Sequence, residues 1–190
     1  MVEYHDTEWG VPVHDDQKLF EFMVLDAMQA GLNWRIVLEK RRNFKQALDG
    51  FDPRRIAKYS DRQLDRLVGT EGIIRNRQKL GAAIANARAV LEVQQDFGSL
   101  DSYLWQFVDR KPKINAWNEA TQVPATSPES EVMSRALKSR GFKFVGPTIC
   151  YAFMQAAGLV NDHITGCFRY AELANSPAKH VVRRDPPGSA

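Results

Sequence analysis

Apolar residues recur along this chain at helical spacing, and glycine or polar breaks divide the pattern into segments. The first clear one is DQKLFEFMVLDAMQA, which carries Leu19, Phe20, Met23 and Met28 at helical intervals, with Asp15 or Asp16 placed to cap it. Gly31 breaks the pattern, and WRIVLEKRRNFKQAL restarts a second helix. Ser60 and Gln63 have the capping-box spacing and predict a helix over SDRQLDRLV. A turn at Gly72 leads into a long helix, RNRQKLGAAIANARAVLEVQ, and SLDSYLWQFV predicts another. Ser127-Pro128-Glu129 starts a helix that ends near Arg140. No stretch alternates apolar and polar residues over the length of a strand, so the pattern predicts an all-α fold. Residues 110–126 and those after Tyr170 are less regular. The expectation is one helical domain over 1–170 and an irregular tail over 171–190, frayed at its PPGSA end.

The run GFKFVGPTICYAFMQAAGLVNDH, Gly141 to His163, reads as a glycine hairpin opening into an apolar helix. Gly146 sits at the turn, and Pro147 occupies the first helical position, where its missing N–H costs nothing. With the basic helix SRALKSR before it, this is the outline of a clamp for a DNA phosphate, built from hairpin N–H groups and a helix N-terminus. An ordinary αα-hairpin has the same outline.

Composition narrows the setting. The chain has 190 residues, 44% apolar and 26% charged, with a net charge of +3. These values suit a globular protein and permit nucleic-acid binding without requiring it, so any basic surface must be local. Cys150 and Cys167 make no disulfide framework, and no apolar run reaches the length of a membrane span. A cytoplasmic, non-membrane protein is expected.

Two clusters stand out. Tyr4, His5, Asp6, Glu8 and Trp9 crowd the start of the chain, as an arm docked on the core or as part of a site. Asp26 interrupts an apolar helix face, either at a solvated edge or as a buried functional acid, and Trp34 is core or a stacking platform.

Taken together, YHDTEWGVP, LFEFMVLDAMQAGLNW, GIIRNRQKLGAAIANARA and KSRGFKFVGPTICYAFMQAAGLVNDH, in this order, resemble the 3-methyladenine DNA glycosylase I family of the helix-hairpin-helix DNA glycosylase superfamily. The resemblance runs from Tyr4 to Cys167. It implies hydrolysis of the N-glycosidic bond of 3-methyladenine in alkylated double-stranded DNA, after the base is flipped into a pocket. Tyr4, Trp9 and Trp34 match the family's aromatic pocket, suited to a cationic base. Asp26 and Tyr4 match the groups for polar recognition and for assisting departure of the base. The family usually has Glu where this chain has Asp26, whose side chain is shorter by about 1.5 Å of reach. A deeper base, a bridging water or altered specificity would follow, and a damaged-DNA binder with weak or lost activity is the alternative. A protein-interaction module using the aromatic arm is a third class, and it predicts no salt-dependent DNA affinity.

No lysine matches a nucleophile position, so the resemblance implies a monofunctional enzyme without an organic cofactor, and Asp162 is not assigned the superfamily's catalytic aspartate role. Gln29, Gly31 and Leu32 match the family's loop that enters the base stack, with Leu32 as plug or, alternatively, as a staple across the helix break. Gly141, Lys143, Gly146 and Thr148 match its backbone-binding hairpin. Gly72 to Arg75, with Lys79, could grip a neighbouring phosphate or simply cap a helix. His5, His163 and Cys167 match three of the family's four structural zinc ligands. The fourth, a cysteine about a dozen residues before His5, would lie ahead of Met1, and the expectation is that Met1 is an internal start or that the chain is truncated. A monomer is the default.

Overall fold

A computed structural model describes residues 1–175. Its centre is helix α2, Asp16–Gln29, buried at every position from Leu19 to Met28. Such all-round burial marks a helix enclosed by others rather than one lying on a surface. Its neighbours are α3 (Trp34–Ala47), α6 (Arg77–Phe97), α7 (Leu100–Trp105) and α9 (Pro147–Ala156). The alternative left open for Asp26 is thereby decided, because α2 offers no solvated edge at that position and Asp26 is 2% exposed.

Asp15 is the cap of α2, accepting from the Lys18 N–H at 2.8 Å. Asp16 turns away and accepts from the N–H groups of Leu100 and Asp101, both at 2.9 Å, at the start of α7. The two adjacent carboxylates therefore serve two helix N-termini. The short helix α4 (Pro53–Ile56) and α5 (Asp61–Gly69) pack on α6. Capping boxes form at Ser60–Gln63 and at Ser127–Ser130, the latter opening α8 (Pro128–Ser139).

Three features depart from the pattern read along the chain. Residues Val2–Thr7 form a helix, α1, with no buried residue. Two residues inside the irregular stretch, Lys113–Ile114 (β1), pair in parallel with Val160–Asn161 (β2), too briefly to leave an alternating signature. Helix α10, Phe168–Ala174, continues past Tyr170, so the tail is not irregular from residue 171. The remainder of that expected tail, including PPGSA, lies outside the described residues. Among the described residues no helix is long and apolar enough to cross a membrane.

Only Tyr4 of α1 packs on the core, so polar contacts just beyond its end help to seat it. Arg41 on α3 donates to both Glu8 oxygens, at 2.7 and 2.6 Å, and through Nε to Glu21 on α2 at 2.6 Å. Lys18 approaches Glu8 at 2.7 Å. Burial pushes Glu8 up, but its hydrogen bonds to Arg41 and Lys18 outweigh this and hold it down to about 2. The fork geometry of arginine gives this anchor direction as well as charge.

Candidate functional site

Helices α1, α2 and α9 enclose a cavity of about 320 Å³ lined by Tyr4, His5, Trp9, Asp26, Gln29, Trp34, Ala152, Gln155 and Ala156, together with Met1. The expected pocket residues Tyr4, Trp9, Asp26 and Trp34 are thus brought together from three separate segments. The Tyr4 and Trp34 rings meet at 5.6 Å, tilted by 53°.

Asp26 Oδ2 is buried and has no hydrogen-bond partner among the described residues. Burial pushes its carboxyl well above the usual carboxylate range. An unpaired buried carboxylate costs several kcal/mol when ionised, roughly the penalty that real interiors retain after relaxation. A group kept at that cost in a cavity wall is a candidate for ligand recognition. Burial also raises the Tyr4 hydroxyl, and the Asp26 and Glu8 carboxylates add to the shift, so Tyr4 stays a neutral donor.

At the cavity rim α2 ends in a turn. Gly31 adopts φ +74° with open space where a Cβ would stand, and Leu32 is 40% exposed. Asn33 caps α3 by accepting from the Arg35 N–H at 2.8 Å. Leu32 is therefore presented outward rather than stapling the helix break, and Gln29 lies one turn above Asp26. The turn is held by Lys79, 6% exposed, whose Nζ donates to the carbonyls of Met28 at 2.9 Å and Ala30 at 2.5 Å. An ammonium on the last carbonyls of a helix neutralises the negative end of its dipole. Lys79 therefore faces inward as a cap and does not grip a phosphate. The Gly72 turn is likewise tied inward, its carbonyl accepting from Asn43 at 3.1 Å.

The hairpin between α8 and α9 is fixed from behind. Asn86 on α6 accepts from the Lys143 N–H at 2.7 Å and donates to the Lys143 carbonyl at 3.0 Å. Ser134 donates to the Val145 carbonyl at 2.6 Å. Gly141, at φ +82°, ends α8, and its N–H is used by the Lys138 carbonyl at 3.0 Å. Of the expected hairpin residues, Gly141 and Lys143 therefore offer no backbone N–H to a ligand; Lys143 offers only its exposed side chain. Among the described residues the N–H groups of Gly146, Thr148 and Ile149 make no backbone hydrogen bond, and they cluster at the N-terminus of α9.

Beside the cavity, His5, His163 and Cys167 place three ligand atoms within 4.8 Å of one another. Cys167 Sγ lies 3.7 Å from His5 Nε2 and 3.6 Å from His163 Nδ1. Tetrahedral zinc with ordinary Zn–S and Zn–N bonds needs an S···N edge of about 3.6 Å. Each imidazole is also oriented from outside: His5 Nδ1 meets Asp6 at 2.7 Å, and His163 Nε2 meets the Trp9 carbonyl at 3.2 Å. That leaves the inner nitrogens free to ligate, the second-shell arrangement of metal-bound histidine. The donor set and both S···N edges fit the ion. Cys150 is buried elsewhere, its thiol pushed up to about 12 by burial.

Gln155, a polar residue on an apolar helix, carries no signal in the sequence. Lys79 signals only as a phosphate ligand, because the contacts that make it a cap span 49 and 51 residues.

Comparison with known proteins bears on the whole assembly. A sequence profile described as methyladenine glycosylase matches residues 1–170. DNA-3-methyladenine glycosylase 1 of Escherichia coli (strain K12) is 47% identical over 169 residues, 89% of this chain and 90% of the relative. A crystal structure of 3-methyladenine DNA glycosylase I superposes with a TM-score of 0.86 at 51% identity, covering 88% of this chain and 92% of the other. A tyrosine-to-phenylalanine variant of such an enzyme, solved in complex with 3-methyladenine, superposes with a TM-score of 0.86 at 33% identity, over 87% of this chain and 89% of its own.

Proposed function

The chain belongs to the methyladenine glycosylase family, and from that premise we propose how its own residues perform the reaction of a DNA-3-methyladenine glycosylase. The reaction is hydrolysis: the N9–C1′ bond breaks, its electron pair neutralises the cationic purine, and water adds to C1′ with loss of a proton. The leaving group is already activated by its charge. The protein's task is then to extrude the damaged base, select it and admit water.

One observation carries the assignment of roles, the buried, partnerless Asp26 oxygen in an aromatic cavity of about 320 Å³. A flat cation with N–H donors on its edge satisfies both features. Asp26 accepts from the base edge, Tyr4 donates to a ring nitrogen, and Trp9 and Trp34 stack. Because charge leaves the base as the bond breaks, Asp26 contributes chiefly to capturing the flipped cation and to countering positive charge on the sugar. The shorter carboxylate is compatible with a base seated deep against α2. Among the described residues no lysine lines the cavity, which is in keeping with a monofunctional enzyme.

Leu32 fills the gap left in the stack, Gln29 and Gly31 let the turn approach the bases, and the N-terminus of α9 with Gly146, Thr148 and the Lys143 side chain holds the DNA backbone. Cavity, wedge and hairpin come from one chain, so a monomer suffices, and a reducing cytoplasm keeps Cys167 available as a thiol. Incubation with methylated duplex DNA tests the reading: free 3-methyladenine is released and the strands stay intact until alkali opens the abasic sites. Retained DNA binding without base release would favour the damaged-DNA binder, and direct strand cleavage would contradict the monofunctional assignment.

Lys79→Met removes the cap on the wedge turn while keeping the apolar stem. The expected result is a fall of about tenfold or more in kcat/KM on duplex substrate, with little change in affinity for free 3-methyladenine, whose cavity does not include Lys79. An equal loss of both would mean that Lys79 supports the cavity rather than the wedge.

His5, His163 and Cys167 would hold a structural zinc ion, with a water or a further ligand completing its shell. When bound, zinc supplies a cross-link between α1 and the segment leading to α10. Cobalt substitution tests this by the thiolate charge-transfer absorption that Cys167 would give, lost in Cys167→Ser. Saturating metal should stabilise the fold by about 2.7 kcal/mol at a hundredfold excess over Kd. Neither signal appearing would remove zinc from the account.

A further inference from the structure

Asp162 is 3% exposed and lines neither the cavity nor the metal cluster. Its oxygens are occupied. Oδ1 accepts from Asn115 Nδ2 at 2.7 Å and Trp117 Nε1 at 2.8 Å, and Oδ2 accepts from Gln155 Nε2 at 2.8 Å. Asn115 is itself fixed beside the β1–β2 pairing, its N–H donating to the Asn161 carbonyl at 3.1 Å. A carboxylate with this many donors has little capacity left to activate water.

What Asp162 does is set the polarity of one amide. A carboxylate only accepts, so the part of Gln155 that faces it is the NH2 group. The Gln155 carbonyl oxygen, Oε1, must point elsewhere. It has no partner among the described residues, and it is not one of the buried atoms that lack a partner, so it is open to solvent. Gln155 itself lines the cavity, alongside Ala152 and Ala156 on α9. It lies eight residues beyond Pro147, about 12 Å down the helix from the end proposed to hold DNA. On the functional reading above, that depth suits the outer edge of a flipped base rather than the sugar.

We propose that Gln155 is a specificity-determining residue, its carbonyl oxygen held as an acceptor by Asp162 so that it receives the exocyclic amine of the flipped purine and rejects a purine bearing a carbonyl there. This rests on the functional reading above. A glutamine free to turn would accommodate either group by exchanging its NH2 for its carbonyl. Tied to Asp162, it opposes a 6-oxo purine with a second acceptor, which leaves two buried acceptors facing each other without a proton between them.

Binding of free bases to the whole chain tests the proposal without turnover, read by quenching of the cavity tryptophans. The probes are 3-methyladenine and its 6-oxo counterpart 3-methylhypoxanthine. The wild-type protein should prefer 3-methyladenine by about tenfold or more. Gln155→Met, similar in shape and without the carbonyl, should reduce the preference to within about threefold, mainly through lost affinity for 3-methyladenine. Asp162→Asn should narrow it too, by letting the Gln155 amide turn. An unchanged preference in Gln155→Met would overturn the proposal, as would a wild-type protein that binds both bases equally. Should Asp162→Asn fail to fold, Gln155→Met decides alone. A wild-type protein that binds neither base and releases none from methylated DNA would overturn the functional reading as well, whereas release with an unmoved preference overturns only this inference.

Discussion

Asp26→Asn lowers kcat/KM for release of 3-methyladenine by about 10²–10³-fold, the usual consequence of removing one member of a buried, hydrogen-bonded charge pair. The asparagine keeps the shape and one acceptor but loses the charge proposed to meet the cationic base. Asp26→Glu keeps the charge and extends it towards the cavity, so it should retain activity within about tenfold of wild type and separates charge from shape.

The same substitution changes stability in the opposite sense. The Asp26 carboxyl is raised well above 3.8 by burial. Between that value and its folded-state value, the native protein keeps a proton that the unfolded chain has lost. Stability therefore falls as pH rises through this window, by about 1.4 kcal/mol per unit from this one group. Asparagine does not titrate, so Asp26→Asn becomes the more stable protein as pH rises through the window, measurable as a growing difference in urea midpoint. Activity has the reverse sign. On the role proposed for Asp26 the carboxylate form binds the cation, so kcat/KM should climb about tenfold per unit below the folded-state pKa and level off above it. In Asp26→Asn that limb should vanish. Stability given up for a recognition group is a common exchange in enzymes.

Gly158→Ala should cost about 3 kcal/mol or more, a size that only a few named mechanisms produce. Gly158 adopts φ +71°, and a Cβ there would stand 2.4 Å from Pro12 N and from the Val11 carbonyl carbon. These are backbone atoms and do not swing aside. To make room, residues 11–12 must lift off the end of α9, which strains the bonds from Gly10 N–H to the Gln155 carbonyl at 3.1 Å and from Val13 N–H to the Ala157 carbonyl at 3.0 Å. Those bonds seat the segment carrying Trp9, so the cavity loosens with the fold. Gly31→Ala is the control. It has the same left-handed backbone, φ +74°, but nothing within 4 Å, and should cost only the conformational part, about 1–2 kcal/mol. The difference between the two urea midpoints isolates the steric share.

Much of the fold can be read from local pattern because most of its elements are helices with strong caps. The boxes at Ser60 and Ser127, the break at Gly31 and the Gly146-Pro147 start all signal within four residues. Where a role depends on partners far along the chain, the local pattern is silent or points two ways. Asp26 is identical in sequence context whether solvated or buried, and only the enclosure of α2 on all sides decides. Lys79 beside a glycine turn looks like a phosphate ligand until α2 is found ending against its ammonium. Helix α1 has only Tyr4 to pack on the core, too little to announce it, and the Glu8–Arg41–Glu21 anchor beyond its end helps to seat it. The site residues were found through resemblance to a family. Their geometry, from His5 to Cys167 across 162 positions, came only with the structure.

On the role proposed for it, the partnerless Asp26 carboxylate is kept in the cavity wall to meet a cationic purine. Its ionisation can be followed directly through the side-chain carboxyl carbon resonance, titrated in the free protein and with 3,9-dimethyladeninium, a permanent cation that reproduces the charged lesion. The expected result is a carboxyl that titrates well above 3.8 when free and falls once the cation is bound, with one proton released per site. A carboxyl that titrates normally in the free protein, or one that the bound cation leaves unmoved, would contradict it.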